Sequence, residues 1–223
     1  MYRSILDTIV RRLLASSWRV PILKELLRVQ SFFERWISTF AVENGMHPKH
    51  RLTKYHEFFI NNLNSADHVL DIGCGYGDVA FDAAQVAASV TGIDFDEASI
   101  AEARRRYQAA NLTFLVGDAV THQFNQSFSV IIMSNVLEHI DNRVGLLQKI
   151  KALAPKLLLR VPMLDRDWLP LLKQELGLDY RLDPTHRIEY TEAIFRQELA
   201  NAGYTIKHLH VRFGEMYCVA TAA

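Results

Sequence analysis

Little in this chain points to special covalent chemistry or to a charged partner. It has only two cysteines, Cys74 and Cys218, too far apart in sequence to form a metal-ligand pair or to suggest a disulfide framework, so a reducing setting is expected. Net charge is absent, with 25 Lys and Arg against 25 Asp and Glu. That removes the broad positive field on which nucleic-acid binding depends. No apolar run approaches the roughly 18 residues of a membrane span. Arg3, Asp7, Arg11 and Arg12 break up any signal-peptide core at the start. Repeats and low-complexity segments are missing too. The expectation is a cytoplasmic protein without a transmembrane segment, long enough at 223 residues for one sizeable core and a small appendage. The charge balance is uneven, however. Residues 1–60 hold ten Lys and Arg against five Asp and Glu, and the remainder holds fifteen against twenty.

What is present centres on His68-Val69-Leu70-Asp71-Ile72-Gly73-Cys74-Gly75-Tyr76-Gly77-Asp78. An apolar run ends in an acid, and three glycines follow at alternate positions. Helical spacing then begins at Val79. This predicts strand, tight turn and helix start, with backbone N–H groups facing a ligand. A dinucleotide turn would read Gly-x-Gly-x-x-Gly. The spacing here is Gly-x-Gly-x-Gly with Asp78 next, and carboxylates flanking the turn suit an ammonium-bearing ligand better than a pyrophosphate.

These residues resemble the first motif of the class I S-adenosylmethionine-dependent methyltransferases, of the small-molecule (type 11/12-like) kind. The resemblance covers about residues 66–222 and implies an α/β fold: a Rossmann-like three-layer sandwich with a seven-stranded, mostly parallel sheet and an antiparallel last strand. An N-terminal helical extension lies outside it. It further implies S-adenosyl-L-methionine as cofactor, held at Asp71, Gly73, Cys74, Gly75 and Gly77. Cys74 is expected there simply as a small residue.

Downstream the signals keep the same order. Ser89–Asp94 reads as a second strand ending in a carboxylate seventeen residues beyond Gly77, where the family's acid takes both ribose hydroxyls; Phe95 could lie against the adenine. The alternative is that Asp94 only opens a turn before Asp96, the expected N-cap of a helix 97–110. Strand 112–116 leads to Asp118 and Ala119. In the family, that pair meets the adenine amine and a ring nitrogen, although Asp118 could equally serve its own turn. Strand 128–133 leads to Ser134 and Asn135, and then to Val136-Leu137-Glu138-His139, similar to the family's fourth-strand motif at the methionine end. A helix 141–153 and a strand 156–161 follow. Residues 164–189 show no strong period and read as a substrate insertion. Thr191 then caps a helix ended by Gly203, and two strands flank a turn at Gly214.

Upstream, helical stripes are expected over 3–14, from Pro21 to about 44, and over 49–63. They suggest packing against the sheet edge, a lid or acceptor pocket, or reversible membrane contact through Arg3, Arg11, Arg12 and Arg19. The expected division is a helical lid or substrate segment over 1–63 and a cofactor-binding methyltransferase domain over 64–223. The expected reaction is methyl transfer to a small or lipid-like acceptor. Oxygen or carbon is favoured over nitrogen because Ser134-Asn135-Val136-Leu137 stands where an Asn-Pro-Pro-Tyr-like tetrapeptide would. His186 and His139 are the candidate catalytic residues, either of which could take the acceptor's proton. No cluster in the sequence demands a metal, although Glu138 and His139 could contribute to one. Two other readings stay open: a non-catalytic S-adenosylmethionine-binding partner module, and an NAD(P)-dependent oxidoreductase that the glycine spacing disfavours.

Overall fold

The computed structural model describes residues 10–43 and 47–223; of the helix expected over 3–14, the part before residue 10 lies outside them. Seven strands form one sheet in the order β3-β2-β1-β4-β5-β7-β6. They are β1 His68–Ile72, β2 Ser89–Asp94, β3 Leu112–Val116, β4 Val130–Ser134, β5 Lys156–Pro162, β6 Tyr204–Arg212 and β7 Glu215–Ala222. β1 to β5 pair in parallel, and β7 runs antiparallel between β5 and β6. The doubly wound sheet with a reversed strand is as expected. β1, β4 and β5 are buried almost throughout, because a parallel strand covered on both faces must be apolar along its whole length.

Helices α4 Asp78–Ala84 and α5 Glu97–Arg106 pack on one face, α6 Arg143–Lys151 and α8 Glu192–Asn201 on the other, and α7 Trp168–Glu175 lies between β5 and α8 in sequence. One core packs Leu70, Ile131, Met133, Leu147, Leu159, Phe195 and Leu199. The other packs Val69, Ala80, Ala83, Ile100, Ile132 and Leu158. Asp96 caps α5 through Ser99 N and Thr191 caps α8 through Ile194 N, as the sequence predicts.

Several boundaries differ. α5 stops at Arg106 rather than 110, because Tyr107 turns away to stack on Phe81 and donate to Asp78. α6 begins at Arg143, capped by Asn142 rather than starting at 141. Within the segment that lacks a period, Asp167 caps α7, and Pro170 sits in its first turn, where a missing N–H costs nothing.

The N-terminal part forms α1 Arg19–Phe40, α2 Pro48–Thr53 and α3 His56–Ile60. α1 ends at Phe40, short of the expected 44. The single helix expected over 49–63 is broken at Lys54, whose φ of 51° is left-handed. The break lets Tyr55 and Phe59 both turn inward and become buried, which outweighs helix continuity. Phe59 joins the second core, and Phe58 packs edge-on to Tyr217 of β7.

Candidate active site

The strand ends β1, β4 and β5 open onto a cavity of about 240 Å³. Its floor is the glycine turn, where Gly73, Gly75 and Gly77 all have positive φ. Gly75 has φ +51° and nothing within 4 Å of where a Cβ would stand, so its side of the turn is open to a ligand. Gly77, at φ +84°, initiates α4, and a Cβ there would come within 2.6 Å of the Phe114 ring.

Asp71, Gly73, Cys74 and Asp78 line the cavity together with Ser134 and Asn135. Asp71 is 1% exposed, and its Oδ2 has no hydrogen-bond partner. Burial, helped by the nearby Asp94 charge, pushes its carboxyl up to about 8. A buried carboxylate without a partner, facing a cavity, is a receptor for a cation such as an ammonium group. Cys74 is buried and its thiol is pushed up by that burial, which fits an inert packing residue rather than a nucleophile. Asn135 holds a left-handed φ of 55° and its Oδ1 is also unpartnered, a strained polar residue at the end of β4.

Asp94 ends β2 beside β1. Its Oδ2 accepts from Gly75 N at 2.9 Å and its Oδ1 from Asp96 N at 2.9 Å. Both oxygens keep a lone pair for a hydroxyl donor. Thus Asp94 opens the turn before α5 and steadies the glycine turn at once. Phe95 is 79% exposed. Asp118 accepts from Val120 N through Oδ1 at 2.8 Å, so it does serve its own turn; its Oδ2 makes no such bond. Gly117 N donates to Asp94 O at 2.8 Å, which draws the Asp118–Ala119 loop against the β2 end. The glycine turn, Asp94 and Asp118 therefore follow one another along three adjacent strand ends, with Ser134 and Asn135 on a fourth.

The other wall was not legible in the sequence. Arg160 of β5 is buried and forms a two-pronged pair with Glu215 of β7, at 2.6 and 2.8 Å. Its guanidinium lies 3.7 Å from the Tyr55 ring centroid, and Lys49 Nζ reaches the same Glu215 at 2.5 Å. Burial opposes ionisation of Glu215, yet Arg160 and Lys49 outweigh it and hold the carboxyl below its ordinary range. Lys49, His50 and Tyr55, all from the N-terminal segment, line the cavity with Arg160. The one available signal was a charge interrupting Leu157-Leu158-Leu159.

Both candidate histidines meet beside Glu138. Leu137–His139 forms a single 3₁₀ turn after β4, and the loop carrying His186 folds back onto it, with Arg187 N donating to Glu138 O at 2.7 Å. The two imidazole rings stand edge to face, 4.6 Å apart. His186 is buried and its Nδ1 bonds Glu189 Oε1 at 2.8 Å; Glu189 is in turn held by Arg166 at 2.9 Å. His139 Nδ1 bonds Thr185 Oγ1 at 2.9 Å. Burial, then the neighbouring His186, holds His139 below its ordinary value, which favours the neutral ring. Glu138 is fully buried, both carboxylate oxygens lack partners, and burial pushes it up to about 8.

Residues 69–156 match the family described as "Methyltransferase domain". The chain is 27% identical over 187 residues to a ubiquinone biosynthesis O-methyltransferase of Albidiferax ferrireducens, covering 79% of this chain and 73% of that protein. It is 28% identical over 122 residues to a demethylmenaquinone methyltransferase of Symbiobacterium thermophilum, covering 50% of this chain and 49% of that one. Among solved structures, magnesium protoporphyrin IX methyltransferase from Synechocystis PCC 6803, crystallised with bound SAH, superposes with a TM-score of 0.64. That match has 21% identity and covers 97% of this chain and all of that one.

Proposed function

We propose that this chain is a class I S-adenosylmethionine-dependent methyltransferase, a reading supported by its match to the methyltransferase domain and its likeness to O-methyltransferases, and that it methylates an oxygen or carbon of a small, apolar acceptor. The observation that carries the cofactor's placement is Asp71, a buried carboxylate with an orphaned oxygen on the wall of the cavity. The ammonium of the cofactor's amino-acid end satisfies it, the open face of Gly75 admits the ribose side, and Asp94 takes the ribose hydroxyls. Asp118 and Phe95 receive the adenine, and the N–H of Ala119 meets its ring.

When bound, S-adenosylmethionine supplies a methyl group already activated by a positive sulfur. The residues therefore have to align an acceptor with it, which is worth several kcal/mol of the barrier. The acceptor enters on the side of His139 and His186, the latter carried by the segment 164–189. A neutral His139 there can take a hydroxyl proton or a hydrogen bond from it.

An apolar acceptor fits the relatives named for quinone biosynthesis, and it also gives α1 a use. α1 turns Phe32, Phe33, Trp36, Ile37 and Phe40 outward. It carries Arg19, Lys24, Arg28 and Arg35 against Glu25 and Glu34. A lipid surface with anionic headgroups is the partner those two features suit, and it is also where an apolar acceptor resides.

Asp94→Ala tests the cofactor arm. It removes two charge-assisted hydrogen bonds, each worth roughly 1.5–3 kcal/mol, so calorimetry should show S-adenosylmethionine binding weakened by at least tenfold. Unchanged affinity would sink the assignment. Transfer of labelled methyl from the cofactor into a lipid extract, with the product identified, tests the acceptor class.

A further inference from the structure

We propose that Glu138, His139 and His186 form a binding site for one divalent transition-metal ion, of the kind that takes mixed imidazole and carboxylate ligands. Resting on the methyl-transfer reading, the proposal sharpens the role of the two histidines: they act as ligands rather than as free bases.

Three independent features converge on this. First, one donor atom from each residue lies within 4.8 Å of the other two. Ligands sharing an ion at about 2.0–2.2 Å stand roughly 3–4 Å apart, so the triangle needs to close by about an ångström. His139 is partly exposed and sits on a single 3₁₀ turn, which gives it the freedom to move that far. Second, Glu138 is 0% exposed and neither carboxylate oxygen has a hydrogen-bond partner. Buried polar atoms are nearly always paired, and an orphaned carboxylate aimed at two imidazoles asks for a cation. Third, each histidine already spends Nδ1 on an outer partner. His186 uses Glu189 and His139 uses Thr185, while Arg166 holds Glu189. That arrangement fixes the rings with Nε2 free, as carboxylate–histidine pairs do around metals.

Two imidazoles and one carboxylate favour Mn, Fe, Co or Zn over Mg or Ca, which prefer oxygen-only sets. Three protein ligands leave coordination positions open. Ser134 ends β4 and Asn135 follows it, both on the cavity wall and only a few residues before Glu138, which brings the cluster to the neighbourhood of the proposed transfer site. An acceptor hydroxyl bound there loses its proton to water more readily. Its oxygen lone pair then forms the new bond to the methyl carbon, and the electron pair of the broken carbon–sulfur bond stays on sulfur, neutralising it.

The test is direct metal binding by the full chain after chelator treatment, using Mn²⁺, Zn²⁺ and Mg²⁺ in turn. One equivalent of Mn²⁺ or Zn²⁺ per chain is expected, with the visible bands of a Co²⁺-substituted sample reporting imidazole ligation. Glu138→Gln and His186→Asn should each abolish that equivalent. Glu189→Gln should weaken binding by 10–100-fold through loss of the outer partner, and circular dichroism confirms that each variant is folded. Binding that is absent, non-stoichiometric, or unchanged in both Glu138→Gln and His186→Asn overturns the proposal. Stoichiometric binding of Mg²⁺ alone overturns the assigned ion class. Calorimetry with S-adenosylmethionine on the chelated protein is the separate arm: failure to take up added metal, with cofactor binding intact, sinks this site and leaves the methyltransferase reading standing.

Discussion

Asp71 and Asp94 stand on neighbouring strands, and only one of them has its oxygens occupied by backbone donors. That asymmetry gives Asp71 its unusual character: burial and the Asp94 charge push it up to about 8. Between about pH 4 and pH 8 the folded chain therefore keeps a proton there that the unfolded chain has released. Its contribution to stability falls as pH rises through that window, because the folded state binds the extra proton. In the proposed placement, cofactor binding works in the opposite direction. An ammonium group beside Asp71 favours the ionised form and drives the proton off, so affinity for S-adenosylmethionine should strengthen by several-fold per unit from pH 6 to pH 7.5. In Asp71→Asn the slope should disappear and the affinity should be uniformly low. Calorimetry across that range checks it, and parallel slopes in the two proteins would refute the ammonium assignment. Glu138 is raised by the same physics but lies outside the cofactor cavity lining, so Glu138→Gln should leave the pH slope of cofactor affinity as it is.

At the scale of elements, β5 and β7 are joined by more than backbone pairing. Arg160 and Glu215 are 3% and 2% exposed and face each other across the two strands, while Tyr55 lies against the guanidinium and Lys49 on the carboxylate. The N-terminal helices α2 and α3 are thus fastened to the sheet by the residues that also wall the cavity. Breaking a buried pair strands the other charge, at a cost of about 3–5 kcal/mol. Arg160→Met should lose that much in urea unfolding, and Arg160→Met with Glu215→Met should recover a large part of it. A double variant no more stable than the single one would contradict the pairing. Several elements here were legible because an apolar or β-branched run stops at an acid or a small polar residue: Asp94 for β2, Ser134 for β4. The split between α2 and α3 was not. Residues 49–63 carry a continuous helical period, and only the packing of Tyr55 and Phe59 beneath them requires the left-handed Lys54. α7 was missed for a related reason, since Pro170 reads as a breaker unless its place in a first turn is known.

For the molecule as a whole, the gathering of the glycine turn, Asp94, Asp118 and Asn135 at neighbouring strand ends was legible because it is local: each stands at a strand end or within a few residues of one. The contacts on the opposite wall and beside Glu138 were not, since they bring together residues far apart in sequence. His186 meets His139 across 47 positions and Arg160 meets Glu215 across 55, contacts that no periodicity encodes. The exposed face of α1 belongs to this scale too, because it matters only relative to what the rest of the chain leaves uncovered. Leu27 is the one fully buried residue of α1, and Ser31 accepts from Lys173, so that side faces the body. The opposite side exposes Phe33 at 57%, Trp36 at 47%, Ile37 at 67% and Phe40 at 79%, with Trp36 stacked on Phe40 at 5.5 Å. An apolar stripe this continuous is costly in water, and no helix among the described residues is long and apolar enough to cross a membrane. Lying in the headgroup region buries the rings and leaves Arg28 and Arg35 to the phosphates. The chain should therefore co-float with phosphatidylglycerol vesicles, and less so as salt rises or when phosphatidylcholine replaces the anionic lipid. Trp36→Asp with Phe40→Asp forfeits roughly 1.5–3 kcal/mol per ring, so vesicle affinity should fall by more than tenfold while S-adenosylmethionine affinity is unchanged. A wild-type chain that stays off vesicles but dimerises with rising concentration, and whose double variant is monomeric, would assign the stripe to a second copy and remove the lipid surface from the account.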